Sequence, residues 1–189
     1  MRIIAGKLRG STLYLSKNKN TRPLKDLVRE SVFNLLTHSN KIAFQLEKSN
    51  VLDLYAGTGS FGLECLSREV NYVCFIEKDK FAIEILEKNI EKLKLKNKTK
   101  IFSSDVITLI EEQNIFESKF HLIFCDPPFE NTNIEKLIEL IFNSNLLKKN
   151  GIIILHRNKN TKEKLPNCFK ILDKRMYGMS KIIFGRLLS

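Results

Sequence analysis

No stretch of this chain is apolar over the roughly 20 residues that a bilayer crossing requires. The opening, MRIIAGKLRG, has neither an apolar signal core nor a small-residue cleavage site, so the protein is expected to stay in the cytoplasm, away from membranes. Cysteine is scarce as well. The four present, Cys65, Cys74, Cys125 and Cys168, include no C-x-x-C pair, which argues against a zinc centre, or any metal, and against a disulfide framework. Each is read as a buried thiol. No internal repeat and no long disordered tail is visible. Acidic residues are outnumbered 21 to 32 by lysine and arginine, and the deficit is uneven. Residues 1–50 carry 10 basic and 3 acidic groups, residues 51–147 carry 11 and 16, and residues 148–189 carry 11 and 2. A polyanionic partner would be gripped by the two ends rather than by the acidic middle. Lys, Asn and Ile are abundant throughout, so compositional drift adds to the charge, and charge alone does not identify the partner.

What is present suits one soluble core domain with an arm. At 189 residues the chain can bury roughly 70% of its unfolded surface. Residues 2–15 pattern as a short hairpin turning through Gly6 to Gly10, and such a hairpin must pack on the main domain or on a partner. A polar connector over 16–22 leads to an amphipathic helix that opens at Pro23, with apolar positions 24, 27, 28, 32, 35 and 36 and with Arg22 and Arg29 near its start. From Asn50 onward strands and helices alternate. Strands are expected at 51–55, 72–76, 100–103, 121–125 and 151–155, with helices near 60–68, 79–94, 105–112 and 133–145. That rhythm predicts a doubly wound, mostly parallel sheet. Two further strands, 169–174 and 181–188, read as an antiparallel hairpin added at the end.

Two stretches carry chemistry. In FHLIFCDPPF, residues 120–129, an apolar strand covered on both faces runs into Asp126. Pro127 and Pro128 lack backbone donors and restrict their neighbours, so the strand stops in a stiff loop that carries the carboxylate and the Phe129 ring. A flat polar ring can be gripped there, at the strand edge where α/β sheets bind ligands. The second stretch, Val51 to Gly62, is a strand, a glycine turn and a helix start. Gly57, Gly59 and Gly62 match the dinucleotide fingerprint, and Glu77 lies 20 residues past Gly57, where ribose hydroxyls want an acid. Asp53, just ahead of the glycines, would repel a pyrophosphate. S-adenosylmethionine suits the acids better: Asp53 for its ammonium, Glu77 for its ribose and Asp105 for its adenine amino group. Asp105 also reads as a helix N-cap.

With these residues the chain resembles a known family, the bacterial 16S ribosomal RNA guanine-N2 methyltransferases among the class I S-adenosylmethionine-dependent enzymes. The resemblance is carried by Met1-Arg2-Ile3-Ile4-Ala5-Gly6-Lys7-x-Arg9-Gly10, by Arg22-Pro23 with Asp26-x-Val28-Arg29-Glu30 and Phe33-Asn34, by Val51-Leu52-Asp53-Leu54 with Ala56-Gly57, and by Asp126-Pro127-Pro128-Phe129. Leu24 and Lys25 stand where the family usually has small hydroxyl residues, and His156 where it often has an acid. The resemblance implies a seven-stranded Rossmann-like α/β sheet, an RNA-binding extension over 1–40 and a catalytic domain over 41–189. It implies methylation of a guanine amine in 16S ribosomal RNA or the assembling small subunit, by a chain expected to be monomeric. Asp126 and the Pro127 carbonyl would accept the amine hydrogens and Phe129 would stack on the base, while Asp126 or water takes the leaving proton. The cofactor would lie against Asp53, Ala56, Gly57, Gly59, Glu77, Lys78 and Asp105. Arg2, Lys7, Arg9, Arg22 and Arg29 would hold phosphates, and His156 and Arg157 could line the same edge. Other amine substrates, in DNA or on a protein glutamine, a nicotinamide-dependent oxidoreductase and a non-catalytic RNA-binding protein remain the alternatives.

Overall fold

A computed structural model of the protein describes residues 1–16, 26–112, 115–128 and 133–188. Seven strands, β1 (Asn50–Leu54), β2 (Tyr72–Glu77), β3 (Thr99–Ser103), β4 (Phe120–Cys125), β5 (Leu147–Asn158), β6 (Phe169–Tyr177) and β7 (Ser180–Leu187), form one sheet in the order β3-β2-β1-β4-β5-β7-β6. The first five run parallel, and β7 lies antiparallel between β5 and β6. The expected α/β class, the parallel core and the C-terminal hairpin are all present. β5 is longer than its apolar run because it begins at Leu147, and its pairing with β4 shifts register between Phe120 and Leu122.

Among the described residues five α-helices, α1 (Asp26–His38), α2 (Ser60–Ser67), α3 (Lys80–Lys92), α4 (Val106–Glu111) and α5 (Ile134–Asn143), cover the two faces. Among the described residues no helix is long and apolar enough to cross a membrane. Because strand side chains alternate, Val51, Val73, Phe75, Leu122, Phe124, Ile152 and Ile154 join one buried cluster with α1 and α2. Leu52, Leu54, Cys74, Ile76, Ile123, Cys125, Ile153 and Leu155 join another with α4 and α5. On the first face Phe61 of α2 stacks at 3.8 Å on Phe124 and at 5.1 Å on Phe33 of α1. Side-chain caps open three helices: Asp79 accepts from the Ala82 amide, Asp105 from the Ile107 amide and Asn133 from the Lys136 amide.

The N-terminal hairpin docks on the main domain. Its strands meet in one antiparallel bridge, Arg2 with Thr12, and it is tied down by side chains of α2 and α3. The Glu64 carboxylate, fully buried, accepts from the amides of Ile4 and Ala5 at 2.8 and 3.0 Å. The Ser67 hydroxyl accepts from the Leu8 amide, and Asn89 exchanges hydrogen bonds with both backbone groups of Tyr14.

Arg29 overturns an expectation. Rather than facing a phosphate, it is 0% exposed. Its Nη2 donates to the Arg2 carbonyl at 2.5 Å and to Asp26 at 3.1 Å, and its Nε lies 3.8 Å from Glu64. Burial pulls the guanidinium below its usual range, against the opposing pull of Glu64. The helix face turns with it: Val28, Arg29, Val32, Phe33 and Leu36 are buried while Leu27 is 71% exposed. The Phe33–Phe61 stack and the Arg29 contacts outweigh the nominal apolar stripe. Of the other expected phosphate contacts, Arg2 and Arg9 are exposed, Lys7 is exposed and paired with Glu69 at 2.6 Å, and Arg22 lies outside the described residues. Lys17, Lys19, Pro23, Leu24 and Lys25 also lie outside them. Cys65, Cys74 and Cys125 are buried, but Cys168 is only half-buried, because it precedes β6 in a loop.

Removing Glu64 leaves a buried guanidinium held only through Nη2, by Asp26 and the Arg2 carbonyl, since its Nε and Nη1 have no hydrogen-bond partner among the described residues. Glu64→Ala is therefore expected to cost about 3–5 kcal/mol of stability, read as a shift in the urea unfolding curve. The amides of Ile4 and Ala5 should lose hydrogen-exchange protection in the same variant.

Candidate active site

The site is assembled by strand register. Cys125 pairs with Leu54 on one side and with Leu155 on the other, so the next residue, Asp126, falls beside Tyr55 and His156 at the carboxyl end of the sheet. Its amide donates to the Leu54 carbonyl at 3.4 Å. His156 Nδ1 meets Asp126 Oδ1 at 2.7 Å, and Nε2 meets the Ser180 hydroxyl at 2.9 Å. Ser180 reaches this position because His156 pairs with Ile182 of β7, and residues two apart on a strand share a face.

Arg157, one residue on, points to the other face. Its Nη1 donates to the carbonyls of Pro127 and Pro128, each at 3.3 Å, and its Nε to Glu163 at 3.1 Å. Glu163 also pairs with Lys181 at 2.5 Å and accepts from the Thr161 hydroxyl. Burial works against the Glu163 charge, but hydrogen bonds from Lys181, Thr161 and Arg157 outweigh it and hold the carboxyl below its usual range. The Pro127 carbonyl, expected to face an amine, thus already has a protein donor on it. Its second lone pair can still accept. Phe129 lies outside the described residues. Beyond Arg157 opens a cleft of about 540 Å³ lined by Lys159, Lys162 and Lys174 among others.

The glycine turn is built from left-handed residues. Tyr55, Gly57 and Gly59 have φ of 60°, 55° and 83°. A Cβ on Gly59 would lie 2.3 Å from a Leu86 methyl, whereas one on Gly57 would meet nothing within 4 Å, so the Gly57 backbone borders open space. Gly62 lets α2 approach β2, since a Cβ there would sit 2.3 Å from the Phe75 ring. Glu77 ties this turn to β2: it accepts from the amides of Gly57, Lys78 and Asp79 at 2.7, 2.8 and 2.9 Å. The Ala56 amide donates to the Ile76 carbonyl at 3.0 Å. Asp105 caps α4 and meets the Lys78 ammonium at 3.1 Å, so the N-cap is present. Asp53 is 1% exposed and accepts from the Gly62 amide at 2.9 Å.

Asp105 past β3, Glu77 at the end of β2, Asp53 inside β1 and Asp126 past β4 are therefore arrayed toward one edge, in sheet order. Burial pushes the Asp53 carboxyl well above its usual range; the Gly62 amide opposes this, and repulsion from Asp126 and Glu77 adds to it. An edge with this charge suits a ligand bearing an ammonium or a sulfonium and disfavours a pyrophosphate. Open backbone at Gly57 beside the Glu77 carboxylate, within this acidic edge, fits S-adenosylmethionine. Sequence reasoning found all four carboxylates and placed His156 and Arg157 on the edge, but it missed Ser180, Glu163 and Lys181, whose contacts depend on the β5–β7 register.

The raised Asp53 pKa has a testable consequence. A carboxyl whose folded pKa exceeds its unfolded value of about 3.9 costs stability progressively as pH climbs from that value through the folded one. Asp53→Asn keeps an acceptor for the Gly62 amide without the charge. In ligand-free protein it should be more stable than the parent at pH 7, with the difference shrinking toward pH 4, in paired urea titrations.

The protein family described as "Conserved hypothetical protein 95" matches residues 1–186. Ribosomal RNA small subunit methyltransferase D of Haemophilus influenzae is 34% identical over 181 residues, covering 95% of this chain and 90% of that protein. The protein of the same name from Escherichia coli K12 is 31% identical over 153 residues, covering 81% and 72%. A solved Escherichia coli structure described as a methyltransferase superposes with a TM-score of 0.85 at 25% identity, covering 100% of this chain and 98% of that one. The chain belongs to this family, that of the ribosomal RNA small subunit methyltransferase D proteins, among the class I S-adenosylmethionine-dependent methyltransferases.

Proposed function

We propose that the chain methylates the exocyclic N2 amine of a guanine in 16S ribosomal RNA of the small subunit. The observation that carries this is Asp126 in the DPPF loop, a carboxylate fixed at the carboxyl end of β4 beside a turn that suits a cationic methyl donor. The substrate is supported by the names of the relatives and by the resemblance of the N-terminal arm. S-adenosylmethionine, when bound, supplies a methyl group activated by its sulfonium. Asp53 would face its ammonium, Glu77 its ribose and Asp105 its adenine, with Ala56, Gly57, Gly59 and Lys78 bordering it.

An exocyclic guanine amine is a poor nucleophile because its lone pair is delocalised into the ring. Asp126 and the carbonyl of Pro127 accept its two hydrogens, which directs lone-pair density out of the ring plane. Holding the nitrogen in line for attack can supply roughly 7–11 kcal/mol of the barrier. As nitrogen gains a methyl group it must lose one proton, which the Asp126 carboxylate would take or pass to water. Phe129 would stack on the base, which must first leave its own stack. Residues 1–40 serve as the RNA-holding extension of the catalytic domain over 41–189, through Arg2, Lys7, Arg9 and Arg22. The lysine-lined cleft beyond Arg157 gives the strand a second grip.

Mass spectrometry of 16S nucleosides from a deletion strain is expected to show the loss of one N2-methylguanosine, restored by the wild-type gene. Asp126→Ala should lower kcat by roughly 10²–10⁴-fold and leave S-adenosylhomocysteine binding, followed by calorimetry, nearly unchanged. Full transfer by that variant, or binding of NADH in place of S-adenosylhomocysteine, would sink the proposal.

A further inference from the structure

We infer that His156, itself fixed by Ser180, is the positioning residue for Asp126: it holds one carboxylate oxygen so that the other is presented to the substrate amine. This rests on Asp126 being the catalytic carboxylate. Three separate elements meet in the arrangement. Asp126 leaves β4, His156 lies in the buried part of β5, and Ser180 opens β7 just past the hairpin turn at Gly178 and Met179. The two links, 2.7 Å from Nδ1 to Asp126 Oδ1 and 2.9 Å from Nε2 to Ser180 Oγ, use both ring nitrogens.

The partners dictate the tautomer. An ionised carboxylate only accepts, so Nδ1 carries the hydrogen facing Asp126. In the neutral ring Nε2 is then an acceptor, and the Ser180 hydroxyl supplies its donor. Without Ser180 the ring could turn over or exchange tautomers, and a bare Nδ1 lone pair would confront the Asp126 oxygen.

Asp126 needs such a hold. Its side chain is 23% exposed, at the open carboxyl end of β4. Left alone it would gain by swinging toward water, away from the base. His156, with a side chain only 8% exposed, is locked between the strands and supplies a donor that draws the carboxylate inward. Locking Oδ1 leaves Oδ2 as the oxygen for the amine, and it removes rotamer freedom before substrate arrives, which is where orientation contributes to rate. The β6–β7 hairpin thereby acts on the chemistry through one hydroxyl, even though it carries no catalytic group.

The test compares three variants of the full chain with assembled small subunits or their RNA. His156→Leu removes the donor, His156→Asn returns a side-chain N–H close to the Nδ1 position, and Ser180→Ala removes the outer link. His156→Leu should lower kcat about 10- to 100-fold, the worth of one hydrogen bond to a charged group, with both KM values within about twofold of the parent. Asn should restore most of that loss, and Ser180→Ala should show a smaller fall. Independently of turnover, nitrogen-15 spectra of the histidine ring in ligand-free protein should show the Nδ1-protonated tautomer, lost in Asp126→Ala and exchanging in Ser180→Ala. A ring protonated at Nε2 alone, with no hydrogen on Nδ1, would overturn the inference, as would full kcat in His156→Leu or a loss that Asn does not restore. If Asp126→Ala abolishes transfer while His156→Leu does not, the positioning role alone fails. If Asp126→Ala keeps full transfer, the proposed chemistry fails with it.

Discussion

Parallel strands covered on both faces leave polar groups almost nowhere to go except the strand ends, and the rest of this structure follows from that constraint. Every interior position of β1, β2 and β4 but Asp53 and the half-buried His121 is apolar, because both faces meet helices. The acids therefore collect where the strands run out, and in-register pairing sets them side by side. Asp53 is the acid that lies inside a strand, and its burial is tolerated through the Gly62 amide, one of the free donors in the first turn of a helix whose approach to the sheet only a glycine permits. The site is acidic because its topology makes it so, and that acidity selects a cationic ligand over a pyrophosphate on the same fold.

A second constraint works at the opposite side of α2. Glu64, inside the helix, draws the N-terminal hairpin and Arg29 onto one carboxylate. A short hairpin with a single bridge has little stability of its own, so these long-range bonds supply what its own pairing cannot. A buried ionic cluster of this kind is weak evidence for net stability, because desolvation offsets the Coulombic gain. Its effect here is to specify position: the arm can dock in only one register, with Arg2 and Arg9 left facing outward. Arg157, Glu163 and Lys181 repeat the device below the DPPF loop, where two cations on paired strands share one carboxylate. In both places a charge that looked available for a polyanion is spent on the fold.

The strands and helices of the α/β core were legible in the sequence, because apolar runs and helical spacing reflect local burial. The four acids and the stiff loop were legible too, because a carboxylate at the end of an apolar run and two adjacent prolines have few other uses. The face of α1 was not. Leu27 and Arg29 differ in hydrophobicity in the direction that predicts the opposite burial, and only the partners brought by α2 reverse it. His156 could be placed on the edge but not given a partner, since that required knowing that β5 lies next to β4 and that β7 lies on its other side.

By itself the sequence determined the class of fold, the strand–turn–helix with its open glycine, and the carboxylates that give the edge its charge. These are local properties, written in the spacing of apolar residues, glycines and prolines. Tertiary structure alone decided which oxygen of Asp126 is held and by what, which cations remain for a partner, and how the C-terminal hairpin is linked through His156 to Asp126. Those depend on register between strands far apart in the chain, and register is fixed by the packing of whole faces rather than by any short run of residues.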